Sequence, residues 1–344
     1  MSITIREIAK LANVSIGTVS RVLNNKETGY TEETKAKVLD VVKRYDYIPN
    51  SAARALSTQS TKTLGCIIPD ICNPFFPELA RGIEDMAGSH GYHIFLCNTD
   101  LDAQKEESYV YTLLERQVDG LLFASSTATT PKNITRIQKV NKPIILLDAC
   151  MHDEAIPHVY IDNCFGVYTA TKHLIEKGHT SIAFITGSMN LSTSKERLRG
   201  YKMALEEAGL PIQEQLIIEG DYTVEGGFRA MELLHLHSYT GLIASNDLMA
   251  YGVYKYARTQ GIRIPEDLSV IGFDNLSFSQ IIDPPLTTVS QPAYELGQYA
   301  AEMLIKCLQG MDTPSYHLYK PTLIVRESVK CKRLITEYIS ILPY

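Results

Sequence analysis

Apolar positions recur at helical spacing over the first 44 residues, whereas from Leu64 onward short apolar runs alternate with amphipathic stretches. In TIREIAKLANVSIGTVSRVLN (residues 4–24), Ile5, Ile8, Ala9 and Leu11 follow the helical period. A break falls at Asn13-Val14, and Ser15 is a good N-cap for a second short helix that turns Val19, Val22 and Leu23 inward. Two helices joined by so short a turn predict a helix-turn-helix, whose second helix enters the major groove of DNA. Its outward face is Ser15, Ile16, Gly17, Thr18, Ser20 and Arg21. Thr31 caps a third helix with Val38, Leu39 and Val42 as its apolar face, and Pro49 ends it by biasing Ile48 away from helix. The next stretch, SAARALSTQSTKT, has the composition of a linker.

The remaining chain predicts an α/β fold. Strands read LGCIIPD, HIFLCNT, GLLFASS, PIILLDA, SIAFITG, QLIIEGD, GLIASND and SVIGFDN, separated by helical patterns such as PELARGIEDMAGSHG and ERLRGYKMALEEAG. Near-continuous apolar strands in repeated βαβ order imply parallel sheets covered by helices on both faces. About 280 residues of this divide into two similar subdomains, the second starting near Asp162. Ligands of such folds bind outside the carboxyl ends of the strands. Polar and aromatic residues collect there: Pro69-Asp70 followed by Asn73, Phe75 and Phe76, then Asp148, Asn246-Asp247 and Asp274. Arg197 stands at the start of a helix, Tyr222 follows a strand, and Gln291 lies in the crossing strand TTVSQP. Each has a plainer alternative. Phe75 and Phe76 could be core, Asp148 a helix cap and Arg197 a surface ion pair, while Asp247 is expected to cap the helix LMAYGVYKYA. Aromatic faces against C–H surfaces, with carboxylates, amides and an Arg around them, suit a sugar.

Composition narrows the classes. Apolar content of 45% with 21% charged residues is that of a globular protein, and no apolar run is long enough to span a membrane. MSITIREIAK lacks the basic-then-apolar order of a signal peptide, so a cytoplasmic protein is expected. Residues 1–62 hold 10 Lys/Arg and 6 Asp/Glu, a net +4, against −10 for the remainder: a basic head on an acidic body. The seven cysteines show no CxxC spacing and several lie in apolar runs, which predicts buried free thiols rather than a disulfide or zinc framework. No nucleophile elbow, HExxH or P-loop occurs, so neither catalysis nor a cofactor or metal is expected.

The wording AxxAxVSxxTVSRVLN resembles the DNA-binding headpiece of the LacI/GalR family of bacterial repressors. The likeness continues through Tyr-x-Pro-Asn into Ala53, Arg54 and Leu56, and then along the whole α/β region as a periplasmic-sugar-receptor-like core. Only CKRLITEYISILPY falls outside it. The resemblance implies a headpiece over 1–49, a hinge helix over 50–60 that folds on the operator, and an effector-binding and dimerisation core over 61–344. Within that core one subdomain takes about 61–161 and 290–321, the other about 162–289 and 322–340. Leu56 falls where the family inserts a leucine into the minor groove, and such apolar wedges kink DNA.

On the operator, Ile16 and Gly17 occupy the positions that vary most with site choice and offer apolar contact only. Arg21 is the candidate for bidentate reading of a guanine. Thr4, Ser15, Thr18, Ser20 and Asn24 would bond phosphates or position the helix. Asn73, Phe75, Phe76, Asp148, Arg197, Tyr222, Asn246, Asp274 and Gln291 fall where ribose-binding proteins and sugar-responsive repressors hold their ligand. Purine-responsive members carry Arg at the position of Leu191, and ribose receptors carry Arg where this chain has Ala149. The resemblance implies a homodimeric repressor on a palindromic operator, with a tetramer the alternative, controlled by a small sugar, ribose first. A catabolite-control-type regulator with a protein corepressor is the nearest alternative. A sugar-transport receptor is a further one.

Overall fold

A computed structural model describes residues 3–24, 28–48, 60–124, 130–148 and 156–332. The chain divides into two compact units, residues 1–61 and 62–344.

Among the described residues the first unit holds three helices, α1 (Ile5–Leu11), α2 (Ile16–Leu23) and α3 (Glu32–Arg44). Thr4 and Glu7 close a reciprocal capping box on α1, Ser15 caps α2 through the Thr18 amide, and Thr31 caps α3 through that of Thr34. Asn13, at φ +53°, makes the turn between α1 and α2. Ile8, Ala9, Ala12, Val19, Val22, Val38 and Val41 form the core. Two expected core positions face outward instead: Leu11 is 51% and Leu39 43% exposed. On α3 the inward pair is Val38 and Val41, three residues apart, and Leu39 lies about 100° round the helix from Val38. The hinge positions Ala53 and Leu56 lie outside the described residues.

The second unit contains two six-stranded sheets. The first has the order β11-β5-β4-β3-β1-β2 and is parallel throughout: β1 (Thr63–Ile68), β2 (His93–Asn98), β3 (Gly120–Phe123), β4 (Ile144–Leu147), β5 (His158–Ile161) and β11 (Tyr316–Tyr319). The second has the order β12-β10-β9-β8-β6-β7: β6 (Ile182–Thr186), β7 (Ile217–Glu219), β8 (Gly241–Ala244), β9 (Ser269–Asp274), β10 (Thr287–Ser290) and β12 (Thr322–Ile324). Here β12 runs antiparallel to β10, pairing Thr288 with Ile324, so this sheet is not purely parallel. The chain passes from sheet to sheet three times: after β5 at Asp162, after β10 at Gln291-Pro292, and between β11 and β12 at Lys320-Pro321.

Helices cover both sheets as the apolar strands require. α4 (Phe75–Ser89), α5 (Ala103–Glu115), α6 (Thr130–Lys139) and α11 (Ala293–Leu308) serve the first sheet, and α7 (Asn163–Glu176), α8 (Ser192–Glu207), α9 (Val224–Leu234) and α10 (Asp247–Gln260) the second. Glycines let paired helices touch backbone to backbone. A Cβ at Gly82 of α4 would meet the Tyr294 carbonyl oxygen of α11 at 2.1 Å, and one at Gly200 of α8 the Cys164 oxygen of α7 at 2.1 Å. The six described cysteines are free, but Cys72 and Cys331 are exposed, so burial holds only for some of them. Among the described residues no helix is long and apolar enough to cross a membrane.

Candidate ligand cleft and nucleic-acid helix

The carboxyl ends of strands from both sheets open onto one cleft. Asn73 follows β1, and Phe75 and Phe76 begin α4; Asp148 follows β4; Tyr222 and Asn246 follow β7 and β8; Asp274 ends β9; Gln291 follows β10; Arg197 lies in the second turn of α8. All nine line this cleft, which encloses about 770 Å³ outside protein atoms, part of it continuous with solvent. Phe75 also belongs to the core beneath, and its ring meets that of Phe76 edge-on at 5.1 Å.

Arg197 is 4% exposed and organises the floor. Its Nε donates to Asn163 Oδ1 at 2.7 Å, a terminal nitrogen donates to the Ser245 carbonyl, and its plane lies 3.8 Å from the Phe273 ring centroid. Burial pushes the Asp148 carboxyl up to about 6, against the opposing pull of the Arg197 charge and an Asn163 hydrogen bond. Burial raises Asp274 well above the ordinary carboxylate range, again against Arg197. The Gln291 amide donates to Asp274 Oδ1. Tyr222 shares a 2.7 Å hydrogen bond with Ser194 and closes over Gly187, where a Cβ would lie 2.0 Å from its Cζ.

Four cleft residues hold left-handed backbone: Leu101 at φ +58°, Asp148 at +50°, Tyr222 at +65° and Asp274 at +119°. Non-glycine residues rarely adopt this region, and strain of this kind gathers at functional sites.

The expected cap at Asp247 is corrected. Asn246 is the cap, its Oδ1 accepting from the Met249 amide at 2.9 Å while its Nδ2 donates to the Tyr222 carbonyl at 3.0 Å. Asp247 is the first helical residue and is fully buried. Its carboxylate accepts from the Leu276 amide at 2.8 Å, Ser279 Oγ at 2.5 Å and Thr288 Oγ1 at 2.6 Å. One residue's shift in the helix start turns a presumed cap into a hub joining α10, β10 and the loop after β9.

Asp70, Leu101, Ser192, Thr193 and Asp221 also line the cleft and were not among the expected site residues. The strand-end rule reaches Asp70 and Asp221, which follow β1 and β7; nothing in the pattern marks Leu101.

On α2, Ile16, Gly17 and Arg21 are exposed and Thr18, Ser20 and Asn24 half-buried. Arg21 folds back along the helix, its Nε donating to the Gly17 carbonyl at 3.2 Å, and lies against Gly29, whose φ is +95°. Ser15 and Thr18 pair their hydroxyls at 2.9 Å, and Asn24 donates to Ser20 at 3.4 Å. Thr4 and Ser15 thus cap helices besides standing on the exposed face.

Residues 4–50 match the family described as bacterial regulatory proteins, lacI family, and residues 61–320 match periplasmic binding proteins and sugar binding domain of LacI family. Catabolite control protein A of Priestia megaterium is 38% identical, over 96% of this chain and all of its own length. The ribose operon repressor of Halalkalibacterium halodurans is 38% identical, over 95% of this chain and 97% of its own. The solved lac repressor dimer bound to operator and the anti-inducer ONPF superposes with a TM-score of 0.86 at 25% identity, covering 96% of this chain and all of that one.

Proposed function

This chain belongs to the LacI family of bacterial regulatory proteins, and on that premise we propose that it represses sugar-utilisation genes under the control of a sugar, ribose first, held between its two sheets. Family members are DNA-binding transcriptional regulators rather than enzymes; they act as dimers and take small effectors. In the proposed division, residues 1–49 read half of a palindromic operator, 50–60 form the hinge with Leu56 in the minor groove, and 61–344 sense and dimerise. The protein acts in the cytoplasm, where that DNA lies. Two-fold pairing follows because one headpiece reads only a half-site.

The observation that carries the sensing role is the convergence of Asn73, Phe75, Phe76, Asp148, Arg197, Tyr222, Asn246, Asp274 and Gln291 on one cleft. Its walls come from two sheets joined at three crossings, so a ligand touching both walls favours one relative setting of the sheets. It shifts the equilibrium only by its differential affinity for the two settings. Sugar binding separates the paired hinges and releases the operator. Ribose leads because the ring of residues matches that of ribose receptors and a ribose operon repressor is among the relatives; Ala149 is the position that departs.

Thermal melting against a panel of pentoses and hexoses tests this, since a ligand of the folded state raises the melting temperature by mass action. The stabilising sugar then goes into an operator titration. A sugar that binds yet leaves operator affinity unchanged rules the mechanism out. Silence across the panel redirects the search to a protein corepressor.

A further inference from the structure

Two successive residues hold left-handed backbone where β9 ends, Asp274 at φ +119° and Asn275 at +60°. Such a pair persists only where its surroundings over-determine it. Asp274 brings its carboxylate to the cleft, whereas the bonds that hold the turn fall on Asn275. The Asn275 N–H donates to Thr288 Oγ1 at 3.3 Å and its side-chain nitrogen to Ser290 Oγ at 3.2 Å. Its side-chain oxygen accepts from Arg326 at 2.6 Å. The Thr288 hydroxyl gives its one hydrogen to Asp247 Oδ1 at 2.6 Å, so toward Asn275 it can only accept.

Arg326 is half-buried, two residues past β12. One terminal nitrogen reaches Asn275, the other donates to the Leu286 carbonyl at 2.7 Å, and the backbone N–H donates to Thr287 Oγ1 at 2.9 Å. The planar fork joins the turn after β9 to the start of β10, a geometry that an ammonium does not reproduce. Its charge also opposes the burial of Asp247, whose other carboxylate oxygen accepts from the Leu276 amide at 2.8 Å. Residues 275 and 276 are therefore gripped from α10, from β10 and from the segment after β12. Neither Asn275 nor Arg326 is among the described residues that line the cleft.

We propose that Asn275 and Arg326 are positioning residues for ligand recognition: they fix the turn that holds the Asp274 carboxylate at the cleft, and so set which hydroxyl pattern binds without touching the ligand. The proposal rests on the sugar-sensing reading above and extends it to residues outside the cleft. The plainer role for the pair is to tie the segment after β12 to its sheet. That role affects folding alone, so the two differ in what a sugar titration reads.

The test is calorimetric titration of the full chain with ribose and with a panel of pentoses and hexoses, each beside its monodeoxy analogues. Arg326→Lys keeps a charge beside Asp247 and removes the fork. Asn275→Gly removes the side chain and leaves a residue that holds a positive φ freely. Each should weaken the bound sugar by about 10-fold, the weight of one hydroxyl bonded to a carboxylate. The double variant should lose about as much as either alone, because both act through one turn. In the unaltered protein, the analogue lacking the hydroxyl that Asp274 accepts from should bind about 10-fold weaker than its parent. Both variants should bring that analogue close to its parent while the other analogues keep their ranking. Variants that melt earlier yet keep the affinity and the ranking have lost only a structural tie, which overturns the proposal and leaves the sugar-sensing reading intact. Asn275→Gly carries the test alone if Arg326→Lys does not fold. An unaltered chain that binds none of the sugars removes that reading, and the proposal with it.

Discussion

The Arg197 guanidinium lies 3.8 Å from the centroid of the Phe273 ring, so the cleft's lone described cation rests on the core of the second sheet. Its charge opposes the burial of Asp148 and Asp274 at the same time. Removing one partner from a buried charge cluster leaves the others uncompensated, which costs about 3–5 kcal/mol. Arg197→Ala should therefore lower the unfolding free energy measured by urea titration by that amount as well as abolish sugar binding. Arg197→Lys should recover only part of either, since an ammonium lacks the planar fork and the ring-stacking face.

Gly187 offers a cleaner separation of binding from folding. A methyl there would lie 2.0 Å from Tyr222 Cζ, so the ring must leave its place over the strand end. Gly187→Ala is expected to cost about 1–3 kcal/mol from overpacking and to weaken the sugar by about 10-fold. Operator affinity without sugar should be unchanged. Sugar titrations of the variant at full occupancy of folded protein check this.

Acid dependence should carry an uncommon sign. Burial raises Asp148 and Asp247 to about 6 and Asp274 well above its ordinary value. A carboxyl with a raised folded-state pKa holds its proton longer in the native protein than in the unfolded chain. Its contribution is full below about pH 4 and is lost as pH rises through about 6. For Asp247 the swing is on the order of 3 kcal/mol. Unfolding free energies measured from pH 4 to 7 should show this component falling, and Asp247→Asn should flatten it; a component that rises with pH over that window would contradict the assignment.

Arg21 must swing away from the Gly17 carbonyl to reach a base edge. Arg21→Ala should remove about 1–3 kcal/mol of operator discrimination and leave weak, salt-sensitive binding to any duplex. Gel shifts with operator and scrambled DNA at several salt concentrations separate the two; retained preference for the operator would place base reading elsewhere.

Much of this architecture was legible in the chain because βαβ units repeat one unmistakable pattern. Eight strands announced themselves as apolar runs, and the strand-end rule led directly to Asp148, Tyr222, Asn246 and Asp274. β5, β11 and β12 escaped because HVYI and YHLY mix His and Tyr into the run, and TLI follows directly on Lys320-Pro321 with no helical pattern before it. Leu39 was misplaced because adjacent apolar residues on a helix compete for one inward face, and only packing chose Val41. Asp247 was misread because an N-cap and the residue after it differ by one position yet point in different directions. Leu101 enters the cleft through a loop, where no periodicity exists to read.

Residues 316–324 supply an edge strand to each sheet, β11 to the first and β12 to the second. The first sheet also waits for α11, whose Leu296, Ala300 and Leu304 fill its core beside Leu79 and Ile83 of α4. During synthesis, then, neither half can finish on its own, although most of the first is made before the second begins. Until residue 324 clears the ribosome, β5 and β10 stand at their sheet edges without the strand each later pairs with, and exposed edges invite pairing with other chains. The interleaving that joins the two halves of the sensor also makes the closing steps of their folding a single late event, the interval in which a nascent copy is most open to aggregation or to rescue by a chaperone.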